Sequence, residues 1–398
     1  MKVFSDLLIG EAKTKNPSKN GDDYVMFKIP LIKPYLPLGT EEKVLEVLRS
    51  GYLTEGPITA EFEEQITKYV GTKYAIAVTS CTTGLEIALR ALGIGAGDEV
   101  IVPDYTYPAT ADAVMIVGAK AVIVDVNPKT MLIDYDLIEQ AITPNTKAIM
   151  PVSEFGNPLD YDRLNKIKNK YGVLIVEDAA CALGSEFKGA KTGKLADITV
   201  FSFHPRKFIT TGEGGMITTD NSEWAEWMIS YKHFGMGVQN ERLTASFERV
   251  GTNYKLSNIL AALGLGQLEH IEKLLQRRRD LATRYIQHLK DIKGITIPET
   301  TEHGIHSYQT FSVFVENRDE IMKKMREKGI EAQIGTYALH LHTAFQKNEL
   351  SKLSPQGYLG SLYAFKHCLA LPLYYEMTEE EQVKVIGTLN TIYFEYAR

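Results

Sequence analysis

One lysine stands out by its setting. Lys207 lies five residues after Ser202, in the run Ser202-Phe-His-Pro-Arg-Lys-Phe-Ile-Thr-Thr-Gly-Glu-Gly-Gly215. Upstream, the apolar stretch Val173-Leu-Ile-Val176 ends in Glu177-Asp178-Ala-Ala. A lysine amine condenses with an aldehyde, and a carboxylate holds a heteroaromatic nitrogen protonated so that its ring can store electrons. A strand-end acid followed by a strand-end Ser-x-x-x-x-Lys is thus the layout that pyridoxal phosphate (PLP) chemistry needs. Each residue also has a plainer reading: Lys207 as a solvated surface lysine, Asp178 as a helix N-cap. The glycines decide for chemistry at Lys207. Thr210-Thr-Gly-Glu-Gly-Gly215 suits a backbone that bends tightly or approaches something closely. It lacks the Gly-Lys-Ser/Thr of a nucleotide-binding P-loop.

Two further turns fit the same site. Thr79-Ser-Cys-Thr-Thr-Gly84 reads as a strand end, a small polar turn and a helix start. Such a start is either an ordinary cap, with Ser80 or Thr82 as N-cap, or a phosphate-binding N-terminus. Pro103-Asp-Tyr-Thr-Tyr-Pro108 places two aromatics at the next strand end, where they either pack or stack on a flat ring.

The elements that must position these residues alternate. Strands are expected at Tyr74–Thr79, Glu99–Val102, Ala121–Val126, Lys147–Val152, Val173–Val176, Asp197–Phe203 and Met216–Thr219. Helices are expected at Glu41–Ser50, Thr82–Leu92, Ala109–Val117, Leu137–Ile142 and Leu159–Lys170. Short β-branched runs alternating with helices predict an α/β fold with a mostly parallel sheet, whose ligands gather outside the carboxyl ends of the strands. A long helical stretch follows from Leu256 to about Ile292, and its Arg277-Arg-Arg279 patch reads as a solvated face. Beyond it, Gln309–Val315 reads as strand, Arg318–Lys328 as helix, and a last helix begins near Glu379. The expected division is a polar extension (1–27), a large domain (28–275) and a small C-terminal domain (276–398).

Composition narrows the partners. The 398 residues are 44% hydrophobic with a formal net charge of −6, and no long basic run is present, which argues against nucleic acid. Cys81, Cys181 and Cys368 are far apart and form no C-x-x-C pair, so a zinc site and a disulfide framework are not expected. No signal peptide and no membrane-spanning run is read, and a cytoplasmic protein is expected.

From about Ile29 to Ile392 the chain resembles the DegT/DnrJ/StrS family of nucleotide-sugar aminotransferases. The resemblance rests on Gly51-Tyr-Leu-Thr-Glu-Gly-Pro57, Cys81-Thr-Thr-Gly84, Glu177-Asp-Ala-Ala180, Ser202 through Gly215, Gly251-Thr-Asn-Tyr-Lys-Leu256 and Leu371-Pro-Leu373. It implies aminotransferase fold type I, with a mostly parallel seven-stranded sheet in the large domain and a smaller α/β domain. By the same resemblance Lys207 is the cofactor-bonding lysine and proton shuttle, and Asp178 the partner of the pyridine nitrogen. Cys81, Thr82 and Ser202 serve the cofactor phosphate, and Tyr107 stacks on the ring. Asn253 reaches the phosphate of the neighbouring subunit's cofactor, which implies a homodimer with shared active sites. His340 and Tyr337 lie near the bound sugar. One position departs from the pattern: after Asp-Ala-Ala the family often has Gln or His touching the cofactor's phenolic oxygen, whereas Cys181 stands here, and a thiol is a weak donor.

The implied reaction moves an amino group from L-glutamate to a nucleotide-linked keto sugar, for amino-sugar and polysaccharide precursors. Amination of a keto-cyclitol is the nearest alternative. A PLP sugar dehydratase would carry histidine in place of Lys207. A PLP-binding sensor without turnover would be expected to carry a DNA-binding or signalling domain, and none is read here.

Overall fold

The computed structural model describes residues 27–237 and 246–396; apart from Phe27, the expected polar extension lies outside the described residues. The alternating runs assemble an eight-stranded sheet. Its order is Tyr74–Val78, Gly215–Thr219, Ile198–Ser202, Leu174–Asp178, Thr146–Ile149, Glu99–Pro103, Lys120–Val124 and Ser351–Leu353. Pairings from Ile198–Ser202 onward are parallel, whereas Gly215–Thr219 runs antiparallel to both its neighbours.

Seven of these strands are the expected ones. The eighth, Ser351–Leu353, comes from the C-terminal third of the chain and joins in register Ser351 to Ala121. Apart from the edge strand Ser351–Leu353, the strand cores are buried on both faces, as a sheet covered by helices requires. Ile76 and Val78 contribute to one apolar cluster, with Leu85, Ile87 and Met228, while Ala75 and Ala77 join another, with Phe62, Phe203 and Leu275. That alternation is the two-residue period of a strand.

A second, antiparallel sheet has the order Ile295–Thr296, Phe311–Val315, Cys368–Leu371, Gln333–Ile334. Its core includes Tyr285, whose ring stacks on Phe311 at 4.7 Å. Ile29 also belongs to this core, and its N–H donates to Gly329 O at 3.1 Å.

The long helical stretch is two helices, Asn258–Leu268 and Ile271–Leu289. The arginine triplet on the second corrects the solvated-face expectation. Arg278 is 3% exposed. Its Nε donates to Tyr308 O at 2.8 Å and its Nη2 to Gln309 O at 2.6 Å. Arg277 donates to Met377 O at 2.6 Å, and Arg279 to Gly184 O at 2.9 Å. Loops here present carbonyls without strand partners, and a guanidinium with five rigid donors satisfies several at once. Burial lowers the Arg278 pKa to about 9. Arg278→Ala orphans these carbonyls and should lower the unfolding free energy by about 3 kcal/mol, read by urea denaturation. Arg278→Lys should recover only part of it.

Candidate active site

The sheet brings the expected residues to one edge. Asp178 ends strand Leu174–Asp178 and Ser202 ends the parallel strand Ile198–Ser202 beside it. Lys207 sits in the loop that leaves Ser202. Two glutamines clamp this loop: Gln309 Oε1 accepts from Phe208 N at 3.0 Å, and Gln267 Oε1 from Thr210 N at 3.0 Å. Both return a bond, from Gln309 Nε2 to Arg206 O and from Gln267 Nε2 to Thr210 O.

Lys207 Nζ donates to Cys181 Sγ at 3.1 Å. Burial disfavours the ammonium, but the thiols of Cys181 and Cys81 and the Glu154 carboxyl outweigh it, and the lysine pKa moves up. The Cys181 thiol is itself pushed up by burial. Asp178 is 5% exposed. Thr110 Oγ1 donates to its Oδ2 at 2.7 Å and Ala180 N to its Oδ1 at 3.1 Å. Burial raises the Asp178 pKa, against the pull of these donors and of Lys207. No helix begins at Asp178, so the N-cap reading does not apply.

The helix Cys81–Ala91 starts at the same edge. Ser80 is its N-cap in a capping box, its Oγ accepting from Thr83 N at 3.1 Å. The Cys81 Sγ lies 3.8 Å from Asp178 Oδ1. The cap leaves the N–H groups of Cys81 and Thr82 without an acceptor among the described residues. Gly215 makes this approach possible. It pairs with Val78 on one side and Ser202 on the other, and a Cβ built on it would stand 2.6 Å from Ser80 C. Two N–H groups at a helix start therefore lie beside the Ser202 strand end.

Tyr107 is 65% exposed, 6.1 Å between ring centroids from Tyr337. Strand Tyr337–Ala338 reaches it by pairing with Tyr105–Thr106. His340 is held firmly: its Nδ1 is 2.6 Å from Asp104 Oδ2, its N–H donates to Asp104 Oδ1 at 2.7 Å, and its ring stacks on Tyr358 at 4.4 Å. Asn253 is exposed, and Lys255 Nζ donates to its Oδ1 at 2.5 Å.

Three residues were not read from the sequence. Thr110 carries the short bond to Asp178. His342 packs edge-on against Tyr337, its buried Nε2 without a partner among the described residues. Glu154 is buried, and the Ser153 N–H before it donates to Asp178 O at 3.1 Å. The signal for Glu154 is an acid two residues after the Lys147–Val152 run, one strand over from Asp178.

A buried acid, a lysine in the loop after the neighbouring strand and an anion-ready helix start define a PLP-dependent aminotransferase of fold type I. The comparisons agree. Residues 39–390 match the DegT/DnrJ/EryC1/StrS aminotransferase family, and the chain belongs to it, among the PLP-dependent sugar aminotransferases. The protein MJ1066 of Methanocaldococcus jannaschii is 34% identical over 92% of this chain and 99% of its own. The putative sugar aminotransferase Spr1654 of Streptococcus pneumoniae is 32% identical in its PMP-form, with a TM-score of 0.87 over 92% of this chain and 99% of its own. It is also solved in a PLP-form. PseC of Helicobacter pylori, an aminotransferase involved in the biosynthesis of pseudoaminic acid, is 26% identical, with a TM-score of 0.86 over 92% of this chain and 99% of its own.

The residues fit PLP. Asp178 is a desolvated carboxyl that a cationic ring nitrogen would relieve, and the N–H groups of Cys81 and Thr82 with the Ser202 hydroxyl suit a phosphate. Among the described residues no His/Cys/Asp/Glu group is arranged to hold a metal, and no helix is long and apolar enough to cross a membrane. Thr110→Val removes the hydroxyl donor to Asp178 and should weaken PLP about tenfold in an absorbance titration. Gly215→Ala forces the helix start away from Ser202 and should weaken it further in the same titration.

Proposed function

We propose that this protein transfers the amino group of L-glutamate to a keto sugar carried on a nucleotide, supplying amino sugars for polysaccharide precursors. The observation that carries the reading is the adjacency of Lys207, Asp178 and the Cys81–Thr82 helix start at one sheet edge. The similarity to Spr1654, named a sugar aminotransferase, supports the sugar class.

When bound, PLP supplies an aldehyde that captures amines and a ring that stores electrons. Asp178 keeps the proton on the ring nitrogen. Cys81, Thr82 and Ser202 bind the phosphate, and the exposed face of Tyr107 stacks on the ring. Lys207 Nζ, set free by the incoming amine, would take the α-proton of the amino donor and pass it to the carbon that was the cofactor's aldehyde, and would carry a proton the opposite way in the second half-reaction. Displaced from the cofactor it is a neutral amine, and the Cys181 thiol lies 3.1 Å from its Nζ. Tyr337 and His340 line the sugar side. Asp104 fixes the His340 ring through Nδ1, so Nε2 is the nitrogen left for substrate.

The same reading makes the enzyme a cytoplasmic homodimer with shared sites. Leu45, Leu48, Tyr52 and Leu53 are exposed, as are Phe234, Phe247 and Val250 near Asn253. Apolar groups exposed in such number suit a partner surface. Asn253, held by Lys255, is placed to serve the neighbouring subunit.

Lys207→Ala should lower transamination by roughly a thousandfold or more, and turnover near the wild-type rate would sink the assignment. Mixing the inactive Lys207→Ala and Asn253→Ala chains tests site sharing. Shared sites restore up to about a quarter of wild-type activity through mixed dimers, and unshared sites restore none. Inhibition by free UDP or GDP supports a nucleotide-linked acceptor; indifference to both favours a keto-cyclitol.

A further inference from the structure

Glu154 is a buried acid in an unusual setting. It opens a short turn, Glu154–Gly156, that follows the end of strand Thr146–Ile149. Ser153 N donates to Asp178 O at 3.1 Å, so this segment runs alongside Asp178. The turn is strained. Phe155, not a glycine, has φ 55°, and Gly156 follows at φ 94°. Strain of this kind persists where the surroundings fix it, often at functional sites. Here the surroundings are the Cys181 segment: a Cβ on Gly156 would lie 3.0 Å from Cys181 O and 2.2 Å from Ser307 Oγ. Gly156 O also accepts from Ser185 Oγ at 2.7 Å.

The turn thus buries Glu154 to 6% exposure, two residues before the glycine that abuts Cys181 O, and Cys181 Sγ in turn lies 3.1 Å from Lys207 Nζ. Among the described residues no side chain donates to its carboxyl, and the Phe155 N–H is the one donor that favours its charge. The ionisable groups that interact electrostatically with it are Lys207, Cys181, Asp178 on the neighbouring strand, Tyr105 and Cys368. Only Lys207 is cationic.

We propose that Glu154 is a positioning residue of this site, a buried carboxyl beside the Lys207–Cys181 pair that sets how tightly Lys207 Nζ holds its proton. The proposal rests on Lys207 as the working amine. Burial pushes the Glu154 carboxyl up to about 8, with Lys207 pulling it down and Asp178 pushing it up. Near neutral pH the carboxyl is therefore mostly neutral and leaves the lysine proton freer to depart. As pH rises through 8 its proton goes to water, and the resulting carboxylate grips the ammonium. The stability sign follows. The folded-state pKa lies above the ordinary 4.5, so this contribution to stability is complete below that value and is lost as pH rises through about 8.

The test needs no bound cofactor. The Lys207 Cε signal of apoprotein labelled with 13C-lysine is identified by its absence in Lys207→Ala and titrated with pH. Glu154→Gln keeps shape and polarity but removes the charge, and it should loosen the lysine's hold on its proton about tenfold. Its thermal midpoint should also gain on wild type between pH 5 and 8 and then hold a constant lead. Glu154→Leu, which fills the same buried space, should show the same lysine shift if Glu154→Gln folds poorly. A Lys207 titration unchanged within a factor of two in the variants overturns the proposal. Failure of the Lys207 reading shows separately: PLP then gives no long-wavelength absorption band with wild type, while the NMR shift in apoprotein still reports on Glu154.

Discussion

The site depends on one electrostatic constraint: carboxyls and an amine share a volume from which water is largely excluded. Asp178 and Glu154 are both pushed toward their neutral forms by burial. The only cation among them is Lys207, whose Nζ donates to the Cys181 thiol. Charge removed from water is costly unless paired. The site therefore favours a ligand that brings its own positive and negative groups, as PLP does with a pyridinium and a phosphate. The sheet supplies the geometry for this, because parallel strands end at one edge and each end carries a different functional group.

Most of that geometry was legible in the sequence. Each expected large-sheet strand formed within a few residues of its expected bounds, because Gly and Pro punctuate short β-branched runs. Ser80 is one of the two expected caps, and the three-glycine turn is expected either to bend tightly or to approach something closely. Gly215 against Ser80 shows what it approaches. Residues that act across long sequence distances were hidden. Thr110 and Asp178 are 68 positions apart, and nothing local marks a threonine in an apolar helix as a donor. Helices Pro57–Val70 and Ser222–Lys232 were also passed over, although proline at the first turn and Asn221 as N-cap mark their starts.

The arginine triplet failed for an instructive reason. A charge run is usually solvated, and the rule weighs charge alone. Arg277, Arg278 and Arg279 instead serve carbonyls in loops far along the chain, from Gly184 to Met377. The need for donors arises in those loops and leaves no trace near residue 278. The same helix that ties the two sheets' surroundings together thus looks, in one dimension, like an exposed one. Its Gln309 neighbour belongs to the same economy, offering its backbone carbonyl to Arg278 and its side chain to the lysine loop.

The strand Ser351–Leu353 carries a consequence in time. The sheet that holds Asp178 and Ser202 lacks its outer strand until residue 353 has been synthesised, and the edge at Lys120–Val124 stays open until then. Ile29, near the start, waits for Gly329 and Ile330 before it is paired. An unpaired strand edge is a template for wrong partners. Synthesis therefore leaves this sheet unsealed at its Lys120–Val124 edge, and Ile29 without its partner, until the last quarter of the chain arrives.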